Sequence, residues 1–360
     1  MLSLKTPPQS LCLLRLSAIG DITHVLPVLH TLQHHWPQTA ITWIIGKTEA
    51  ALVNDSPGVE FIVFDKSQGL AAYRQLRRKL KGRRFDILLH MQVSFRASLC
   101  SLAVRAPIRL GFDRARAKNM QWLFTNAQIA AKARQHVLDG FLEFPKALGL
   151  KEAVMKWDLP ISPEADDFAA SLLAGPEQFL AVNPCSSNRR RNFRNWSIEA
   201  YAAVIDHAAR RHGLRTVLTG APSDEEREYA AAIAETVEQP VLNLVGRTNL
   251  KQLAAVLSRC RATIAPDTGP AHIASAVGTP VIGLYATSNP ERTGPYRWLQ
   301  TTVNRYPEAV YREFGRTPSD LPWGKRVRNP HAMELITVAE VTAQLDRIMT
   351  VLANHDQSLR

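Results

Sequence analysis

Short continuous apolar runs alternate along this chain with longer segments whose apolar positions recur at helical spacing. That alternation is the pattern of strand–helix units on a parallel sheet. Leu11–Leu16 reads as the first strand, followed by the polar loop Ser17-Ala18-Ile19-Gly20 and a helix opening near Asp21. Ile41–Ile45, Phe61–Phe64, Ile87–Leu89 and Arg109–Phe112 continue as strands, with helices over Leu70–Leu80 and Phe95–Val104 between them. Around residues 155–178 the pattern breaks at Pro160, Pro163 and Gly175-Pro176, which reads as a change of domain.

A second alternating series then begins. Phe179–Asn183, Thr216–Thr219, Val241–Val245, Ala262–Ala265 and Val281–Tyr285 read as strands. Helices follow Ser197, Ser223, Asn249 and Gly269, and Ser197 has the chemistry of an N-cap. Glu334–Leu352 carries apolar residues at helical spacing and reads as a closing helix. The expected division is an N-terminal domain over 1–165, a C-terminal domain over 176–333, and a closing helix and tail over 334–360. Two successive βα domains imply a cleft between them.

Composition narrows the class. The 360 residues include 44 Lys+Arg against 32 Asp+Glu, a formal charge of +12, with 46% apolar residues. Such a chain buries real cores, so wholesale disorder is excluded. No apolar stretch reaches the roughly 18 residues a membrane-spanning helix needs, and Arg15 cuts short the only candidate leader core, Leu11–Leu14. The expectation is a soluble protein that is not exported. Cys12, Cys100, Cys185 and Cys260 lie far apart, so reduced thiols are expected rather than a disulfide framework or zinc knuckle. The positive charge suits nucleic acid, phosphate-bearing substrates or an anionic membrane face, and by itself selects none.

Four segments carry candidate chemistry. In Arg15–His24 a strand ends, Gly20 turns the chain, and Asp21 sits at a helix opening. An acid there is a good helix-start residue. It also lies at the carboxyl end of a strand, where it could take a proton from an attacking hydroxyl. In Ala265–His272 a strand again leads through a polar turn, Asp267-Thr268-Gly269, into a helix whose backbone N–H groups suit a phosphate. Asp267 would repel that phosphate, so its place is in orienting the loop or meeting sugar hydroxyls. Asn183-Pro184-Cys185-Ser186-Ser187, followed by Arg189, Arg190, Arg191 and Arg194, suits a diphosphate or is a solvated basic loop. Arg74, Arg77, Arg78, Lys79, Lys81, Arg83 and Arg84 place seven cations in eleven residues. They form either a solvated helix face or a surface for phosphorylated lipid headgroups. Neither a Walker A sequence nor GxGxxG is present, and no Asp-x-Asp pair offers to hold a divalent ion.

Taken in order, Arg15–Asp21, Gly220-Ala221-Pro222 with the acids after it, Asp267–His272 and Tyr285–Tyr296 resemble the heptosyltransferases of lipopolysaccharide core assembly, glycosyltransferase family nine. The resemblance implies an α/β GT-B architecture, two Rossmann-like domains facing across a cleft, with the acceptor on the first and the nucleotide sugar on the second. It implies inverting transfer of heptose from ADP-L-glycero-β-D-manno-heptose to the Kdo of the inner core. The runner-up readings are transfer to heptosylated core, another sugar or acceptor, or a non-catalytic basic nucleotide-binding module. Asp21 matches the family's general base. Ser186, Ser187, Arg194, Asp224, Asp267, Thr268, Gly269 and His272 match donor-binding positions, with Arg194 where members often carry Lys and Asp224 where a Glu is expected. Arg74, Arg77 and Arg78 are assigned to acceptor or membrane electrostatics. The resemblance implies no metal and no cofactor beyond the donor substrate. It also implies a Kdo-lipid A type acceptor, no nucleic acid partner, and a cytoplasmic protein held peripherally at the inner membrane. Residues 297–332 fall outside the family pattern and read as a loop near the acceptor or a long connection.

Overall fold

A computed structural model describes residues 4, 6–186 and 193–358. The chain forms two units, Met1–Pro160 and Ile161–Arg360. The first contains β1 (Ser10–Leu14), α1 (Ile19–His35), β2 (Ala40–Gly46), α2 (Lys47–Val53), β3 (Val59–Phe64), α3 (Leu70–Lys79), β4 (Ile87–His90), α4 (Phe95–Ser101), β5 (Ile108–Gly111), β6 (Ala127–Gln128) and α5 (Val137–Ala147). Its six strands are all parallel, in the order β3-β2-β1-β4-β5-β6.

The second unit contains α6 (Pro163–Leu172), β7 (Gln178–Val182), α7 (Ile198–His212), β8 (Leu214–Leu218), α8 (Asp224–Thr236), β9 (Leu242–Asn243), α9 (Leu250–Ser258), β10 (Ala262–Pro266), α10 (Gly269–Ala276), β11 (Val281–Tyr285), α11 (Pro290–Thr293), β12 (Val303–Asn304), α12 (Tyr306–Phe314) and α13 (Val338–Ser358). Its parallel sheet runs β12-β11-β10-β7-β8-β9. Counted from the first strand of each unit, both orders are the Rossmann order 3-2-1-4-5-6, which reverses direction beside that first strand. The α/β reading with two Rossmann-like domains is therefore the observed fold class.

The strands read as unbroken apolar runs because helices cover both faces of a parallel sheet. Leu11–Leu14, Ile87–Leu89 and Val281–Tyr285 are buried throughout. On one face of the first sheet, Cys12, Leu14, Ile44 and Leu88 pack against Ala72, Leu76 and Leu80 of the α3 segment and Ala97, Cys100 and Val104 of the α4 segment. The outer residues of α3, including Arg74, Arg77 and Arg78, are exposed. The amphipathic spacing thus sorts the basic run to solvent and the alanines and leucines to the sheet.

Several boundaries differ from those the pattern predicts. Pro163, read as a break, opens α6 at the first helical position, and the Ser162 hydroxyl accepts from Ala165 N at 3.3 Å. Proline is tolerated there because that N–H has no helical partner. The last helix begins at Val338, not Glu334. Thr337 and Glu340 fix its start by reciprocal bonds, Glu340 N to Thr337 Oγ1 at 3.3 Å and Thr337 N to Glu340 Oε2 at 3.0 Å. Residues 297–332 are part of the second unit's core, not a loop. β12 extends the sheet, and Tyr306, Val310 and Val327 are buried in the same cluster as Leu284 and Ala286. Its arginines and prolines masked this, since a two-residue strand and a nine-residue helix leave little periodicity to read.

Candidate functional site

In an open parallel sheet, ligands bind beyond the carboxyl ends of the strands where the strand order reverses. In the first unit that point lies between β1 and β4, and in the second between β7 and β10. The segments leaving β1, β7 and β10 carry most of the candidate residues; Asp224 follows β8, and Arg74, Arg77 and Arg78 lie on α3.

Arg15 follows β1, and its backbone is held by two neighbours. Arg15 N donates to Ile44 O at 3.1 Å, and the fully buried Trp43 donates from Nε1 to Arg15 O at 3.1 Å. Burying such an indole contributes roughly 2–3 kcal/mol, so this turn is tied to the core of the sheet. The guanidinium donates from Nη1 to Met91 O at 2.6 Å, lies 4.8 Å from the Phe141 ring centroid, and pairs through Nη2 with Asp21 Oδ2 at 2.5 Å. Asp21 is the third residue of α1, and its carboxylate also accepts from Ala18 N at 3.3 Å. Helix-start acid and ligand-edge carboxylate are thus the same group. Its side chain remains 30% exposed.

Gln92, from the loop after β4, closes this turn. Its Oε1 accepts from Leu16 N at 2.6 Å, and its Nε2 donates to Ser17 Oγ at 3.1 Å. Gln92 was not singled out in the sequence, because a lone glutamine in a loop carries no periodic or motif signal. Beneath it His90 is buried between Ser98 and Gln121, and burial with the nearby Arg109 charge depresses its imidazole to about 3. It is a neutral core histidine.

The second unit repeats the arrangement with different chemistry. Asn183 follows β7; its N donates to Ile264 O at 2.9 Å and its Nδ2 to Cys185 O at 2.8 Å. Ser186 is buried, with its N and Oγ directed to Asn195 Oδ1 at 2.9 and 3.4 Å. Ser187, like Arg189, Arg190 and Arg191, lies outside the described residues. Arg194 reaches across to the loop after β10, donating from Nη1 to Asp267 O at 2.5 Å and lying 3.3 Å from Asp267 Oδ2. Thr268 is the N-cap of α10, but its hydroxyl turns back to Pro266 O at 3.2 Å and makes no capping bond. Pro270 carries no N–H, so the groups the start of α10 can offer an anion are the N–H of Gly269 and of Ala271. His272 is buried one turn further on. Arg194, Asp267, Thr268, Gly269 and His272 thus come together around one helix start, with Ser186 on the neighbouring loop.

Asp224 does not join them. It is the first residue of α8, its side chain 92% exposed, and it pairs with Arg227 at 3.3 Å. The buried acid there is Glu226 of α8, whose Oε2 accepts from Ala221 N at 2.6 Å and whose own N–H donates to Ser223 Oγ at 3.3 Å. Burial pushes its carboxyl upward against the lowering effect of those bonds. The run of acids after Ser223 gave no means of choosing the inward one; the helix phase chooses it.

One further cluster has metal-ligand chemistry. Asp346 Oδ1 accepts from His207 Nε2 at 2.8 Å and His212 Nε2 at 2.6 Å. It joins α13 to the C-terminal end of α7, beside the start of β8, at the sheet edge opposite Arg194 and Asp267. The pair of imidazoles outweighs partial burial and holds the Asp346 carboxyl low.

The family model described as glycosyltransferase family 9 (heptosyltransferase) matches residues 73–323. The chain belongs to that family. It is 40% identical to the lipopolysaccharide core heptosyltransferase OpsX of Haemophilus influenzae, over 95% of this chain and 97% of that one. Among solved structures it is similar to the glycosyltransferase family 9 protein of Veillonella parvula, with a TM-score of 0.79 and 21% identity, covering 95% and 97% of the two chains. It is also similar to Escherichia coli heptosyltransferase WaaC with ADP, at TM-score 0.72 and 19% identity over 94% and 99%. This family 9 chain is accordingly a glycosyltransferase of GT-B fold. The matched stretch contains Gly220–Pro222, Asp267–His272 and Tyr285–Tyr296, whereas Arg15–Asp21 precedes it; it also runs through residues 297–323, which the sequence reading places outside the family pattern.

Proposed function

We propose that this enzyme transfers L-glycero-D-manno-heptose from its ADP-activated form to the Kdo of a lipopolysaccharide inner core, with inversion at the anomeric carbon. The observation that carries the reading is the Arg15-oriented Asp21 carboxylate at the ligand edge of the first sheet. The 40% identity to a lipopolysaccharide core heptosyltransferase supports the sugar and the acceptor class. In this reading the first unit binds the acceptor and the second the donor.

The chemistry follows from the groups present. Asp21 accepts the proton of the acceptor hydroxyl while that oxygen attacks the anomeric carbon. Attack comes from the face opposite the diphosphate, so the carbon–oxygen bond to ADP breaks as the new glycosidic bond forms. Positioned base catalysis of this kind contributes roughly 10²–10⁴-fold. The charge that collects on departing ADP meets the N-terminus of α10, the Arg194 guanidinium and the Ser186 hydroxyl. Asp267 holds Arg194, and in this reading its carboxylate meets sugar hydroxyls rather than phosphate. Glu226, buried in the first turn of α8 and bound to Ala221 N, is the carboxylate assigned to the ribose in place of Asp224. These groups neutralise the diphosphate without calling on a metal ion. A lipid-borne acceptor places the enzyme at the cytoplasmic face of the inner membrane.

The test is ADP release from ADP-heptose with and without Kdo-lipid A, for the native enzyme and Asp21→Ala. Release that needs the acceptor and disappears in the variant supports the reaction and the base. Release that needs neither Kdo-lipid A nor Asp21 overturns the mechanism. The anomeric configuration of the product, read by NMR, decides inversion.

A further inference from the structure

The net charge of this enzyme is concentrated in one stretch. Between Asp65 and Asp139 there are 16 Lys and Arg against two acids, Asp86 and Asp113, leaving 28 basic and 30 acidic residues in the rest of the chain. Neither acid offsets the cations near α4. Asp113 is buried and paired with Arg116, and Asp86 accepts from the backbone of Gln9 and Ser10 at the start of β1.

Large apolar side chains are exposed in the same stretch. Phe95 opens α4 at 51% exposure, and the 3₁₀ turn Gln121–Phe124 with its preceding residue exposes Met120 at 54%, Trp122 at 40% and Leu123 at 59%. That turn packs on α4. Asn119 Nδ2 donates to Val93 O at 3.1 Å and Gln121 Nε2 to His90 O at 2.7 Å, fixing the turn beside the end of β4. Arg114 lies 3.9 Å from the Trp122 ring centroid, and Arg96 and Lys118 are exposed alongside. The last turn of α3, with Arg77 and Arg78, covers the same sheet face as α4.

We infer that Phe95, Met120, Trp122 and Leu123, ringed by Arg96, Arg114 and Lys118, form the face by which this enzyme docks on an anionic lipid bilayer. Exposed apolar groups of this size gain by entering the headgroup–acyl boundary, and cations beside them gain from anionic headgroups. An amphipathic Trp under an Arg suits that boundary, with the ring in the apolar layer and the guanidinium in the wet one. The location adds a functional reason. The turn is anchored to the carboxyl end of β4, the same sheet edge at which Arg15 and Gln92 hold the Asp21 loop. A bilayer seated there brings a lipid-anchored acceptor to the edge that carries the carboxylate. This inference rests on the lipid-borne acceptor only for that reason; the docking itself is independent of which sugar moves.

Flotation of the full chain with vesicles decides it. The native enzyme is expected to float with phosphatidylethanolamine vesicles containing phosphatidylglycerol, to release as salt rises, and to ignore phosphatidylcholine vesicles. Trp122→Ser with Leu123→Ser is expected to lower the vesicle partition coefficient at least about tenfold, with the thermal midpoint and ADP affinity kept. Failure of the native enzyme to float with anionic vesicles overturns the proposal, as does a double variant that floats like the native enzyme. Equal binding to single-stranded RNA, unaffected by the double variant, overturns it in favour of a plain polyanion site. With acceptor in both forms, the variant should lose turnover on vesicle-embedded Kdo-lipid A and keep it on a deacylated, water-soluble acceptor. Vesicle binding without turnover on either acceptor by the native enzyme would support the docking face and strike the acceptor reading alone.

Discussion

Arg15 holds Asp21 by a 2.5 Å contact between guanidinium and carboxylate, while its other terminal nitrogen is bound to the carbonyl of Met91. One buried arginine therefore sets the position of the half-buried acid from the segments after two strands at once.

If Asp21 is the base, Asp21→Asn keeps the shape of the turn and removes the proton acceptor. Turnover should fall about 10²–10⁴-fold while ADP affinity stays within twofold, measured by ADP release and calorimetry. A variant with native turnover would remove Asp21 from the mechanism.

Arg15→Lys tests positioning rather than proton transfer. Lysine keeps the charge but cannot serve Met91 O and Asp21 together through a planar fork. We expect kcat to fall about tenfold or more with KM for the donor unchanged, and Asp21→Asn/Arg15→Lys to be no slower than Asp21→Asn alone. Additive losses would show that Arg15 acts on something other than Asp21.

On the donor side, Arg194→Ala should weaken ADP binding about tenfold or more, since a guanidinium–phosphate bond is charge-assisted. Arg194→Lys should recover part of it. Glu226→Ala should weaken ADP and cost about 1–3 kcal/mol in denaturant unfolding, because Ala221 N–H loses its acceptor. Asp224→Ala, at an exposed position, should change both by little. The reverse ranking of the two acids would return the ribose to Asp224.

His90 predicts an acid-sensitive first unit. Its pKa falls on folding from 6.5 to about 3, so the unfolded chain binds the proton first. The stability this confers is complete above pH 6.5 and is lost as pH falls toward 3, at up to roughly 1.4 kcal/mol per pH unit. Urea midpoints between pH 7 and 5 should therefore drop more steeply for the native enzyme than for His90→Gln. Parallel slopes would mean that His90 does not carry the effect.

Local pattern was enough to read much of this protein. Unbroken apolar runs such as Leu11–Leu14 and Val281–Tyr285 mark strands buried on both faces, and Ser197 marks a helix start that the structure repeats, with Ser197 Oγ accepting from Ala200 N at 3.2 Å. Gly213 ends that helix at φ 64°, a conformation that favours glycine. The family itself was legible because Arg15–Asp21 and Asp267–His272 are contiguous, and contiguous residues keep their spacing whatever the rest of the chain does. Tertiary structure decided what depends on distant segments. It placed the loops after β1 and β4, and after β7 and β10, side by side, so that Gln92 closes a turn 75 residues earlier and Arg194 meets Asp267 across 73 positions. It turned Glu226 inward and Asp224 outward, a choice made by the phase of α8 against its sheet. It also folded residues 297–332 into the second core through two short elements. A chain specifies its strands and helix caps by near-neighbour chemistry, whereas which side chains meet is fixed only when the sheets align and burial selects among equivalent residues.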